Sequence, residues 1–565
     1  MTRRLSLLRL LPLSIALVIM LGLAAALPPA AEAVAVNCSA GQTIKQAPAL
    51  SGPGSGPKQL LITVSGNCNE NVVITRDDVT INTDGVATAT ITAQDASQPA
   101  IQLDGARRIV IDGVVANGIT LVGGTYGLVA TRESSASLAN CDVSGGTLGG
   151  VVSSYSSTLD VDRCVLHNNN RGGIAANDAQ LVVTNSTVRN NTNEGLLAVR
   201  SSYVRSGQDR AGNVVARPVT VNNNGIQGIS IVDSSSATIV ATSILSNGSD
   251  GILFSRGSAG TIGTGSNGLV SPNTIQNNAL GTLGSGITIL RASAALIQGN
   301  TLNANARGVL VAQTSAATII GDSVQNNAGR GVQISESGSA RIGVIDGATA
   351  TSGNTITGNT TDGIGLFDGS EAVVAGNTIF SNGGHGINMN MATMNLVGGN
   401  TISSNGLRGI SVGASRLFQA PGTFGTLPDT ADVVQSNGQS GLFLFNNASA
   451  DLYRISLTNS ALQGIGASLN STINLHVYDA ARPNNLISIT GNGTANVVNN
   501  NDGITLFSAS MLVSPQNPGV PGQVVITGQP GWGVNCFSTT NKAAASLDTT
   551  GISGNTLGTV NCGGF

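Results

Sequence analysis

Lysine is almost missing from this chain of 565 residues, occurring only as Lys45, Lys58 and Lys542. Charged residues of all kinds make up 10%, against about a quarter in an average protein. Lysine plus arginine (26) nearly balances aspartate plus glutamate (29), for a formal charge of −3. No basic field exists to hold a nucleic acid, and none is expected as a partner. Aromatics stand at 3%, with a single tryptophan, which excludes a long stacking platform. The three histidines (His167, His385, His476) are scattered and no Cys-x-x-Cys occurs, so a thiolate–imidazole metal centre is disfavoured. Past the N-terminus no apolar run approaches the length of a spanning helix.

Glycine, by contrast, is abundant at 75 residues, and 41% of the chain is hydrophobic. A core is therefore within reach and general disorder is not expected. The N-terminus reads as an address. Arginines within residues 1–9 precede an apolar run over 10–27 and a small-residue stretch ending Ala31-Glu32-Ala33. That is the layout of a secretory signal peptide, assigned to residues 1–33. The mature chain is expected outside the cytoplasm, extracellular or periplasmic, free of membrane and monomeric. Six cysteines agree with export. Their spacing pairs Cys38 with Cys68, Cys141 with Cys164, and Cys536 with Cys562.

One phrase organises the chain: a glycine, an aliphatic residue, then alternation. It recurs from Gly127, Gly150, Gly173 and Gly195 through Gly308, Gly331, Gly363, Gly386 and Gly409 to Gly503, with a base period near 23 residues and occasional longer turns. Such a period marks a solenoid. Apolar residues two apart, as in Ile229/Ile231 and Ile410/Val412, give strand periodicity and no helical one. Three short strands fit each repeat. Stacked coils would then make three parallel sheets about 4.8 Å between strands. Asparagines four residues before the glycine (Asn169, Asn191, Asn224, Asn247, Asn327, Asn359, Asn382, Asn405, Asn437) would bond up and down a column as an amide ladder. Residues 34–126 are read as an N-terminal cap with the first coils, 127–535 as β-helix repeats, and 536–565 as a C-terminal cap.

The phrase Gly-Asn-Thr-Ile at 299–302, 353–356, 376–379 and 399–402, and the run Asn382-Gly-Gly-His-Gly-Ile, resemble the repeat of carbohydrate-binding and sugar-hydrolase β-helix domains. The chain thus resembles a secreted right-handed parallel β-helix protein of the pectate-lyase-like superfamily, over roughly residues 37–562. The resemblance implies an all-β, three-sheet solenoid and a polysaccharide partner. It does not carry over the catalytic sets of that superfamily. Asn82-Thr83-Asp84, Asp77-Asp78 and Gly384-His385-Gly386 are out of order for a polygalacturonase-like site, and no Arg-Ile-Lys or Asp-Pro-His-Asp occurs. Any enzyme here would be lyase- or hydrolase-like on other residues.

Aligning the repeats offers its own candidates. Just before the glycine stand Arg307, Arg330, Asp362, His385 and Arg408. Asp362, His385 and Arg408 are the candidate catalytic set, since a carboxylate can orient an imidazole and arginine can hold a sugar carboxylate. Arg307 and Arg330, with Phe443 and Phe445, are the candidate substrate-binding residues. Five after the glycine, a column of alternating charge ends on Glu336 and Asp368, a like-charged pair that a calcium ion could bridge. Long repeats place their extra residues around 203–217, 260–272, 342–353, 415–432 and 472–488, all at one point of the coil. The leading function is binding, and modification if an enzyme, of an extracellular or cell-wall polysaccharide. The rival is a non-catalytic surface, adhesion or scaffold protein. An envelope maturation factor is disfavoured by scarce histidine and methionine.

Overall fold

The computed structural model describes residues 32–47, 59–116, 118–215, 217–281, 284–344, 351–419, 430–476, 486–495, 501–513, 524–537 and 551–562. Residues 1–31 of the assigned signal peptide lie outside them; Glu32–Asn37 is a strand paired with residues from Leu60 onward.

Each repeat contributes one strand to each of three parallel sheets, here named C, A and B in the order the chain visits them. In one coil these are Val309–Val311, Ala316–Ile320 and Ser323–Gln325. The next coil sets Val332 beside Val309, Ser339 beside Ala316 and Thr355 beside Ser323. A long strand near the N-terminus, Leu60–Asn69, runs through both A and B. Alternation sends Val309, Val311, Ile319 and Val324 into a fully buried aliphatic column.

The repeat glycine is explained by packing. A Cβ on Gly363 would lie 2.6 Å from Ile379 Cγ2, 2.7 Å from the Gly386 carbonyl and 2.9 Å from Asn382 Nδ2. No larger residue fits there.

Three corners turn the coil. At the B-to-C corner the expected asparagine ladder is present: each residue gives its N–H and Nδ2–H to the Oδ1 of its successor, as Asn359 does to Asn382 at 3.1 and 2.9 Å. Asn278 and Asn305 also belong to it. A second ladder, not anticipated, closes the A-to-B corner through Asn273, Asn300, Asp322, Asn354, Asn377, Asn400 and Asp432. At the C-to-A corner two left-handed residues precede a buried serine whose hydroxyl accepts the N–H of the coil before, as Ser258 does from Ser235. The charge column, Arg132 to Asp368, is the first of those left-handed residues, with φ between 51° and 58°. Its ion pairs are few; Arg256 meets Asp233 at 3.1 Å.

Asp322 is the odd member of its ladder. Its Oδ1 accepts the N–H and Nδ2–H of Asn300, while its buried Oδ2 has no partner among the described residues. Ladder amides use that corner to donate, as Asn354 Nδ2 does to Asn377 Oδ1 and the Ile319 carbonyl. Burial, only partly offset by the Asn300 and backbone hydrogen bonds, pushes the carboxyl up to about 7. A protonated Asp322 donates as an amide would.

All three cysteine pairs are disulfides. Cys141 and Cys164 occupy one slot on adjacent coils, with Cα atoms 4.5 Å apart.

Candidate ligand-binding face

Arg307, Arg330, Asp362, His385 and Arg408 do stand in one column at the B-to-C corner, since each following glycine N–H binds the next column carbonyl: Gly308 to Arg330, Gly331 to Asp362, Gly363 to His385, Gly386 to Arg408. Their side chains face one another in a particular way. Asp362 Oδ1 accepts the backbone N–H of His385 at 3.0 Å, and Oδ2 accepts Arg330 Nε at 3.0 Å and Asn388 Nδ2 at 3.1 Å. The carboxylate therefore holds the backbone of His385. The imidazole accepts the Arg408 N–H on Nδ1 at 3.2 Å, which places the proton of the neutral ring on Nε2. Burial lowers the His385 pKa; Asp362 acts against this and Arg408 with it.

The arginines are stacked. Arg330 lies 4.5 Å from the Phe367 ring centre, and Arg408 lies 4.0 Å from Phe443 and 6.0 Å from Phe445. Both phenylalanines face outward from sheet C, while Leu442 and Leu444 are fully buried. The same slot holds Asp250 and Asp502, and each again takes the N–H of the next coil, from Ser285 and Trp532. A side chain three residues on, Thr288 or Asn535, adds a second bond. An aspartate here is a recurring fastener of the corner, with or without a histidine above it.

Glu336 and Asp368 are exposed on adjacent coils, joined by the Ser337 N–H to the Asp368 carbonyl. Among the described residues only Cys38, Cys68 and Glu70 cluster closely enough to share an ion. That trio contains a disulfide, and Glu70 accepts the N–H groups of Ile44 and Lys45.

A long concavity lies on the outer face of sheet A. A trough of about 590 Å³ crosses six adjacent strands, from Ala259–Ile262 to Thr393–Gly398. Five strand spacings make it about 24 Å long. Its outward row reads Ala259, Ala294, Ala316, Ser339, Glu371 and Thr393, and beneath it Ala295, Ala317, Ala340 and Ala372 replace larger inward residues. Small side chains in both rows draw the surface inward. Thr318, Arg341, Glu371, Thr393 and Asn395 supply polar groups along it.

The long repeats project beside this face. Ser266 bonds to Gln208 at 3.1 Å and Asn267 to the Gly212 carbonyl at 3.1 Å, so the insertions near 203–217 and 260–272 stack on one another. Most of the later insertions fall outside the described residues.

Past Asn395 the register continues through Phe418, Asp451 and Asn474. Tyr453 meets Phe418 edge-on at 5.9 Å and stacks on His476 at 4.3 Å. His476 Nε2 lies 3.2 Å from Asp451 Oδ1, Asn474 Nδ2 donates to the same oxygen at 2.8 Å, and Arg416 stands 3.5 Å from Oδ2. Burial works to raise the Asp451 carboxyl, but the bonds from Asn474 and His476 with the charges of His476 and Arg416 outweigh it and hold the group below its usual value. None of these residues was singled out by the repeat alignment, although the alanines recurring eight residues after the glycine signalled a depressed row.

Stacked three-strand coils with a linear outer face define a parallel β-helix. The right-handed β-helix region family matches residues 62–210, 207–351 and 341–424, and the chain belongs to that family. No curated protein matches it. Among solved structures it is similar to a variant of the periplasmic alginate epimerase AlgG (13% identity, 78% of this chain and 85% of that one, TM-score 0.32). It is also similar to the A-module of mannuronan C-5 epimerase AlgE4 from Azotobacter vinelandii (12%, 80% and 90%, 0.24) and to PfbA, a surface adhesin of Streptococcus pneumoniae (8%, 72% and 82%, 0.16). These likenesses are of fold.

Proposed function

We propose that this chain is an exported protein that binds an extended polysaccharide along the outer face of sheet A. The observation that carries the reading is the trough across six coils. It runs along the solenoid axis, its floor is small and apolar, and its hydroxyl, amide and charged groups recur at strand spacing. That combination suits the C–H faces and hydroxyls of a linear glycan. The disulfides fit an oxidising compartment.

Binding without turnover is the form this takes. Asp362, His385 and Arg408 serve as corner fasteners, and Arg307 and Arg330 belong to the same column. Calcium at Glu336 and Asp368 would need further ligands from outside the pair.

Two measurements test the reading. Calorimetric titration with a panel of neutral and acidic polysaccharides is expected to give saturable binding that falls about tenfold or more in Ala316→Trp, which fills the exposed floor. Unchanged affinity in that variant would remove the trough from consideration. A product screen by mass spectrometry, with calcium present, is expected to yield no new oligosaccharides; products that vanish in His385→Ala would restore the column as a catalytic site.

A further inference from the structure

The geometry points to a sugar-ring subsite for a neutral polysaccharide at the C-terminal end of the trough, with Phe418 as the stacking surface and Asp451 and Asn395 as the hydroxyl-reading groups. This inference rests on the sheet A reading above and deepens it by naming the substrate class.

The placement comes from register. Asn395 lines the trough, Phe418 is its partner on the next strand and Asp451 follows one strand later. A ring lying along the trough would thus pass from an amide to an aromatic face to a carboxylate, about 4.8 Å apart. Phe418 is half-buried; Tyr453, itself stacked on His476, meets it edge-on, and the Arg416 guanidinium lies over the ring 5.7 Å from its centre, so a sugar ring has the other face to stack on. The ring is held in place before any ligand arrives, so little ordering cost attends binding. Asn395 Oδ1 is enclosed and has no hydrogen-bond partner among the described residues, so it is the Nδ2 group of this trough-lining amide that is offered to a ligand hydroxyl.

Asp451 is fixed as an acceptor. Asn474 and His476 share Oδ1, while among the described residues Oδ2 has only the 3.5 Å contact with Arg416, itself largely exposed. With Asp451 ionised, the proton of His476 lies on the nitrogen facing it. Oδ2 keeps a lone pair for a hydroxyl.

Charge selects the class of sugar. From the trough floor to Asn474 the outward rows carry Arg341 and Arg416 against Glu371 and Asp451. Two cations face two carboxylates, and a polymer with a carboxylate on every residue would meet as much repulsion as attraction. A neutral, hydroxyl-rich chain meets neither. The arginine-rich column at the B-to-C corner, where a uronate would be sought, is a different face and is occupied by its own phenylalanines and Asp362.

The test uses the full mature chain and length-matched probes: a β-1,4-glucan, a galactomannan and polygalacturonate. A neutral glycan is expected to bind and polygalacturonate to bind at least tenfold more weakly. Phe418→Leu, which keeps an apolar side chain but removes the ring, is expected to weaken binding about tenfold, and Phe418→Tyr to retain it. Asn395→Ala, which leaves the aromatic contacts untouched, is expected to weaken binding severalfold and stands in should Phe418→Leu melt early. If Ala316→Trp abolishes binding while Phe418→Leu and Asn395→Ala do not change it, the subsite is overturned and the trough stands. Preference for polygalacturonate with the same sensitivity to Ala316→Trp overturns the neutral class alone. Binding indifferent to Ala316→Trp, or no binding by any probe, overturns the sheet A reading and this inference with it.

Discussion

Asp322 concentrates the chemistry of the ladder in one proton. Its carboxyl is raised in the fold to about 7, well above the value near 3.9 of an unfolded chain. A group raised in this way lends stability that is complete below the unfolded pKa and is lost as pH climbs through the folded one. The loss should be on the order of 4 kcal/mol by pH 9. No charged side chain contributes to the shift, which comes from burial against hydrogen bonds. Asp322→Asn supplies the missing donor permanently. Melting curves at pH 5 and pH 9 are expected to show a wild-type chain that weakens on the alkaline side and a variant that weakens less, the remainder coming from Asp432 and Asp250, which burial also raises. Asp432 ends the same ladder; Gln419 Nε2 donates to its Oδ2 at 2.7 Å, and burial, only partly offset by that bond and those from Asn400, pushes its carboxyl up to about 6.

At the scale of the element, the ladder strand-to-strand bonds are what a single buried amide controls. Asn327 takes the N–H and Nδ2–H of Asn305 and gives its own to Asn359. Asn327→Ala would leave the N–H and Nδ2–H of Asn305 without their acceptor and take one of two donors from Asn359 Oδ1, a cost of roughly 2–4 kcal/mol in a buried network. Chemical denaturation followed by circular dichroism is the check. His385→Ala removes one acceptor for a backbone N–H and should cost about 1 kcal/mol. The repeat elements were readable from the sequence because most are marked twice: by a glycine that nothing larger can replace and by an asparagine four residues earlier. The A-to-B ladder was harder to see, since insertions such as the one after Ile262 interrupt the count between strand and asparagine. The trough was hidden for another reason. Alanine at positions 294, 316 and 317 carries no chemistry, and depth depends on what neighbouring rows leave unfilled. Phe418, Asp451 and His476 lie on strands whose chemistry appears only when three coils are set side by side.

The whole molecule is a row of coils whose stability is passed between neighbours, and its two ends are where strand edges would otherwise be open. Cys38–Cys68 staples the first coil and Cys536–Cys562 the last. Breaking a loop closure of this size costs about 3 kcal/mol. Replacing each terminal pair by alanine is therefore expected to do more than lower the melting point. Light scattering should show concentration-dependent end-to-end association, whereas the Cys141→Ala, Cys164→Ala chain, with its ends still stapled, should stay monomeric. Association by the internal variant as well would separate this behaviour from the ends.

The B-to-C ladder also sets a chemical clock. Asn224, Asn247, Asn382, Asn405 and Asn437 are each followed by glycine, the neighbour whose amide most readily attacks the side chain and converts it to an acid. In the folded chain that amide is already donating: Gly225 to the Asn191 carbonyl, Gly248 to Asn224, Gly383 to Asn359, Gly406 to Asn382 and Gly438 to Asn405. The fold thereby protects the residues it depends on. Once a coil opens, ageing begins, and each conversion returns to the ladder an acceptor where a donor is required.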